Sequence, residues 1–158
     1  MRNLIASLLA AAFGYRHRNQ VLLGNIAEGT HEDSITKLAD AAQTTRHLLV
    51  KIGTDADHIA VCGASNDPLG VCNDEPSAAE REANVILLGV THNTVLMVAS
   101  EAITAGERVY TAASGKVQDE PSAAGTYYCV GRALTAAGDD GDVIEVEPCF
   151  PIGLVVPA

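Results

Sequence analysis

The groups able to do chemistry in this 158-residue chain are scattered rather than gathered. A nucleophile needs a base within hydrogen-bond reach, and its plainest sequence form is a serine framed as Gly-x-Ser-x-Gly. That frame is absent, as are a glycine-rich phosphate loop and a His-Glu-x-x-His zinc pair. His31, His47, His58 and His92 lie far apart in sequence, so a pairing of Cys129 with any of them would have to be made by the fold. Asp55 and Asp57 share one turn, and Asp139, Asp140 and Asp142 share another, so either could gather oxygen ligands for calcium. Neither turn has the spacing and distal glutamate of an EF-hand. Aspartate is also at home in turns, because its carboxylate bonds nearby backbone amides. Glu145 and Glu147 alternate along a strand-like run, which puts both on a solvent face rather than in an acid–base pair. The expectation is a non-enzymatic protein with no catalytic residue, no metal ligands and no cofactor.

Cys62, Cys72, Cys129 and Cys149 permit three disulfide pairings. They show no Cys-x-x-Cys or Cys/His ligand spacing, and a chain of this size folds without staples. Four reduced thiols packing as small hydrophobes are expected.

The elements that must position these groups are built from small aliphatic residues. Hydrophobic residues make up 47% of the chain, yet aromatics are 4% and tryptophan is absent, which suits thin β-layers better than a deep aromatic pocket. Charged residues are 19%, below the usual quarter, a sign that part of the surface is covered by other subunits. The net charge of −10 argues against non-specific nucleic-acid binding. Its distribution is uneven. Arg2, Arg16 and Arg18 are the only charged side chains among residues 1–27, so removing their +3 from the total leaves −13 on the remainder. A basic, apolar arm ahead of an acidic body suits docking on an acidic neighbour.

Within that arm, Leu4–Phe13 follows Asn3, a suitable N-cap, and stops at Gly14, which predicts a short helix near residues 3–13. Leu4, Ile5, Leu8 and Leu9 fall on one helical face. The run is too short to span a bilayer, so no membrane contact is expected. A cleavable secretory signal is the alternative, but the run starts almost at once and Tyr15-Arg16-His17-Arg18 follows it as a basic flank. Gln20–Gly24 reads as a strand. Residues 34–42 read either as a helix capped by Asp33 or Ser34 or as extended arm.

From Arg46 onward the chain alternates short strands with turns. Leu48–Ile52 and His58–Cys62 flank the turn Gly53–Asp57, then Leu69–Cys72 and Val85–Gly89 follow. Ile103–Thr111, Ala113–Val117, Tyr127–Leu134 and Val143–Val146 form a second such series, with Ser114-Gly115 as a tight turn where glycine takes positive φ. The two series share landmarks in one order: 42–51 with 102–111, His58-Ile59 with Lys116-Val117, Leu69-Gly70-Val71 with Val130-Gly131-Arg132, and 84–87 with 142–145. Such recurrence is the mark of a duplicated unit. The hexapeptide Asp-Glu-Pro-Ser-Ala-Ala at 74–79 and 119–124 does not fit that register and reads as chance. The resulting organisation is an N-terminal arm over 1–40, a first β unit over 41–90, and a second over 91–158 ending in an apolar, proline-broken tail. The fold class is mainly β: two small tandem barrel- or sandwich-like units behind an arm containing a short helix. The apolar tail must tuck into its own body or a neighbour's.

The pattern Ala102–Tyr110, Gly115-Lys116-Val117, Val130–Leu134 and Asp142–Val146 resembles the small β domain of tailed-phage capsid cement, or head-decoration, proteins. The resemblance covers residues 100–148, and more faintly 41–89. It implies a virion protein, assembled in the host cytoplasm, that binds the outside of the head and reinforces contacts of the major capsid protein. It also implies self-association on the capsid surface, with a trimer as one arrangement, and carries over no catalytic residues. The contact residues expected on this reading are Leu4, Ile5, Leu8, Leu9, Phe13, Arg16 and Arg18. Two alternatives stand beside it: a secreted β-sandwich binding module and a capsid fibre protein.

Overall fold

The computed structural model describes residues 33–158. The helix expected near residues 3–13, the strand at Gln20–Gly24 and the seven expected contact residues lie outside them.

Among the described residues, ten strands form two successive sets of five. The first set is β1 (Ser34–Ala39), β2 (Leu48–Ile52), β3 (His58–Val61), β4 (Gly70–Cys72) and β5 (Glu82–Leu87). It closes into a barrel in the order β1-β3-β2-β4-β5, with β5 returning to β1. The second set is β6 (Val95–Val98), β7 (Arg108–Thr111), β8 (Val117–Gln118), β9 (Gly125–Ala133) and β10 (Val143–Val156), ordered β6-β10-β9-β7-β8. Its two ends meet at one parallel bridge, Ala99 to Val117, supported by the Ser100 amide donating to the Val117 carbonyl at 2.8 Å. In the first barrel the same place holds the parallel pair Ala39–Ile59 and the Asp40 amide on the Ile59 carbonyl at 2.9 Å. The neighbours of each strand are therefore the same in both sets, which is the duplication expected from the sequence.

Strand register shows where that expectation was right in detail. Gly70 faces Val50 and Leu87, and Gly131 faces Val109 and Pro148, so Gly70 and Gly131 are equivalent as expected. Ile59 and Val117 also correspond. The first strand corresponds one residue away from the expected alignment, with Val50 matching Val109. The last is displaced by three, with Val85 matching Val146, because Ile35 pairs with Val85 where Val95 pairs with Val146. The Val-Ile dipeptide at 143–144 misleads here. An odd shift turns a strand over, and Val143 is in fact exposed while Ile144 is buried. The recurring hexapeptide follows β4 in one copy and β8 in the other, so it is unrelated to the duplication.

The equivalences predict the core. Inside the first barrel lie Ile35, Val50, Ile59, Leu69, Cys72, Ala83 and Val85. Their counterparts Val95, Val109, Val117, Val130, Ala133, Ile144 and Val146 are all buried in the second. That second core extends further, because Leu49, Cys62, Val71 and Leu88 from the outer side of the first barrel pack into it, with Ile86 against them. The two barrels thus share one hydrophobic cluster. A 3-10 turn, Ala113–Gly115, sits at the joint, where the Gly115 amide donates to the Cys62 carbonyl at 2.7 Å and the Thr111 hydroxyl to the Ala64 carbonyl. Gly115 has φ +73, and a Cβ there would run into the Leu49 carbonyl, so glycine is required twice over.

Of the two readings open for residues 34–42, the extended one holds over Ser34–Ala39, which as β1 takes five antiparallel partners on β5 and closes the barrel. The first sheet accordingly begins at Ser34, inside the stretch assigned to the arm. The apolar tail pairs with its own body along β9 alone: Pro148–Val156 continues β10, with a bulge between Pro148 and Ile152. Proline is tolerated there because this part of β10 pairs only with β9 and leaves its other edge open. Phe150, Ile152 and Val155 stand 74%, 62% and 72% exposed.

Candidate functional site

Equivalent strands in the two barrels carry outward rows of opposite character. In the first barrel Leu49 faces Val71, and Val71 faces Ile86, an apolar row covered by the second barrel. In the second, Arg108 faces Arg132, and Arg132 faces Glu147. This row is exposed and borders a cavity of about 380 Å³ with Tyr110, Ile152 and Leu154. Cys129 and Cys149 form part of its wall. Burial pushes the Cys149 thiol up to about 11, with Cys129 adding to the effect, which keeps it in the thiol form at neutral pH. Among the described residues, neither Arg108 nor Arg132 forms an ion pair. Beyond the cavity, residues 125–129 and 152–156 run on as a two-stranded ribbon.

The other polar clusters are absorbed by local structure. Asp55 sits in the turn between β2 and β3, where it accepts from the Asp57 amide at 2.9 Å and bonds His58 Nδ1 at 2.6 Å. His58 Nε2 meets Glu80 at 3.1 Å. Hydrogen bonding to Asp55 holds the His58 imidazole above its ordinary value against the opposing effect of burial, and Glu80 adds to the rise. The same bond lowers Asp55. In the second acidic turn, Asp142 accepts from the Gly138 and Asp139 amides at 2.7 and 3.1 Å, and Asp140 pairs with Lys116 at 2.6 Å. Asp55 and Asp142 tie down their own turns, Asp140 reaches out to Lys116, and no group of metal-binding residues gathers among the described residues. Glu145 accepts from the Thr94 hydroxyl at 2.6 Å, and Glu147 lies on the cavity rim, so the two carboxylates share the outer face as expected.

All four cysteines are free. Cys62, Cys72 and Cys129 are buried, Cys149 half-buried, and burial pushes Cys62 up to about 12. The arginine row and the ribbon were missed by sequence reasoning. The signal for the row was present in the duplication, since aligning Val71 with Arg132 already sets an aliphatic residue against a charge.

Among the described residues, two fused five-stranded β units present an open, partly apolar outer face. The family model described as "Phage cement protein" matches residues 29–148, and the chain belongs to that family. Membership makes it a structural protein associated with the phage capsid. The fold is similar to the crystal structure of the head fiber gp8.5 N base in bacteriophage phi29, at 18% identity and a TM-score of 0.55, covering 75% of this chain and 94% of that one. No curated protein matches the sequence.

Proposed function

We propose that this chain binds the outer surface of a phage capsid and reinforces contacts between major capsid protein subunits, without catalysing a reaction. The observation that carries the reading is the uncharged end of β10, where Phe150, Ile152 and Val155 are held out on a strand with a free edge. An isolated two-stranded ribbon is marginal in water, and exposed apolar side chains at this end of β10 gain about 25 cal/mol per Å² when a partner covers them. A closed shell presents the same weak contact many times, so modest affinity per copy suffices.

The N-terminal arm is the second docking element in this reading. Leu4, Ile5, Leu8, Leu9 and Phe13 supply apolar contact, with Arg16 and Arg18 against acidic surface. Exposed charge pairs contribute little each, so the apolar residues carry most of the affinity. Self-association of neighbouring copies on the lattice belongs to the same proposal. The likeness to a head-fibre base favours one variant, in which the barrels form the foot of a fibre.

Co-sedimentation with capsid shells tests the function. The full chain is expected to pellet with shells and saturate at a fixed ratio. Deleting residues 1–19 should leave the thermal transition of the barrels in place and weaken retention, and added salt should reproduce only a small part of that loss. A chain that stays in the supernatant at every concentration overturns the proposal.

A further inference from the structure

We propose that the Arg108–Arg132 face of the second barrel is a docking site for a carboxylate-bearing, otherwise apolar segment of the capsid subunit. The inference rests on the capsid-binding reading and assigns it a site.

Three independent observations converge. The first is the duplication. The equivalent face of the first barrel, Leu49, Val71 and Ile86, is a protein-docking surface already, filled by the second barrel. The second barrel presents the equivalent face with Arg108, Arg132 and Glu147 exposed, bordered on one side by Ile152 and Leu154 of the ribbon. The second is charge. Arg108 and Arg132 are direct cross-strand neighbours, an arrangement that repels when nothing lies between them. Glu147 stands opposite Arg132, yet no carboxylate among the described residues comes within ion-pair distance of either guanidinium. Solvent exposure alone would explain a polar face. It does not explain two adjacent arginines that lack an ion pair among the described residues of a chain of net charge −10. A guanidinium pair of this kind is matched by a carboxylate, which accepts parallel N–H bonds from a planar fork.

The third observation is the cavity behind them. Its wall is apolar on the ribbon side, from Ile152 and Leu154, and Ile152 is 62% exposed. A phosphate or a free acid would use the arginines and leave that wall bare. A protein segment carrying one Asp or Glu between apolar residues uses both, with its acid on the arginines and its apolar neighbours on the ribbon.

The probe is a capsid shell stripped of this chain, titrated with full-length protein. The Arg108→Glu/Arg132→Glu double variant should lose at least tenfold in retention at low salt. An Arg46→Glu/Arg81→Glu variant, with the same change in net charge at exposed positions on the first barrel, should stay within about twofold of wild type. A single Arg132→Gln change separates docking from folding. It relieves the repulsion, so the free chain should melt no lower than wild type while shell retention falls. If wild type fails to bind shells, the capsid-binding reading fails. If wild type and both double variants bind alike, that reading stands and this inference falls. A lower melting point for Arg132→Gln would make the arginine structural and overturn the assignment. So would a wild-type oligomer in free solution that the double Arg→Glu variant converts to monomer, because the occupant would then be a second copy.

Discussion

His58 is the described histidine that bonds two carboxylates, Asp55 and Glu80, and the arrangement sets a pH dependence of stability. Its folded-state pKa lies above the ordinary 6.5, so the stability it contributes is fully present below that value and is lost as pH rises through the raised one. Asp55 behaves oppositely: lowered from 3.8, it contributes above that value and loses the contribution as pH falls through its folded pKa. Relative to His58→Gln, the wild type should therefore lose more melting temperature as pH is raised from about 6 to about 8.5, since His47, lowered by burial and acting in the opposite sense, contributes to both proteins. Equal pH profiles for the two proteins would show that the cluster does not couple to folding. Glycine supplies the other residue-level test. A Cβ at Gly70 would lie on the Ile86 carbonyl, and one at Gly131 on the Glu147 carbonyl, the same collision in each barrel. Overpacking of this kind costs about 1–3 kcal/mol or more, so Gly70→Ala and Gly131→Ala should each lower the denaturation midpoint. Gly106→Ala, with φ +96 and open space around it, should cost about 1 kcal/mol from backbone strain alone.

At the scale of elements, the joint between the barrels is where packing is most consequential. Leu49 is fully buried and belongs to the cluster that includes Met97, Val109 and Ile144 of the second barrel. Leu49→Ala should cost about 2–5 kcal/mol and lower one shared unfolding transition, followed by circular dichroism and by chemical denaturation. Two separate transitions would mean that the barrels fold independently. Ile152→Ser on the exposed ribbon should change stability by less than about 0.5 kcal/mol. Much of this was legible in sequence. Gly70-Val71 and Gly131-Arg132 marked equivalent strands because both glycines answer one steric demand, and Ser114-Gly115 marked its turn because both residues take positive φ. The strand at Ser34–Ala39 was ambiguous because its partners on β5 lie about fifty residues away, and local spacing cannot register them. The Arg108–Arg132 face escaped for the same reason. Twenty-four positions separate the two arginines, and only the register of β7 on β9 brings them side by side.

Residues 33–158 form a duplicated barrel in which the outer apolar row of the first copy is covered by the second, while the equivalent row of the second copy is exposed. The cavity, the two arginines without an ion pair among the described residues, and the end of β10 that pairs with β9 alone all lie on that second copy. On the capsid-binding proposal the consequence is a linkage: preferential binding to the assembled lattice would shift the shell towards the assembled state. The most direct test is the thermal disassembly of capsid shells, followed by calorimetry, with and without saturating full-length chain. A higher disassembly temperature is expected in the presence of the chain, with a smaller rise for the Arg108→Glu/Arg132→Glu variant at equal concentration. Shells that carry the bound chain yet disassemble at the same temperature as bare shells would contradict it.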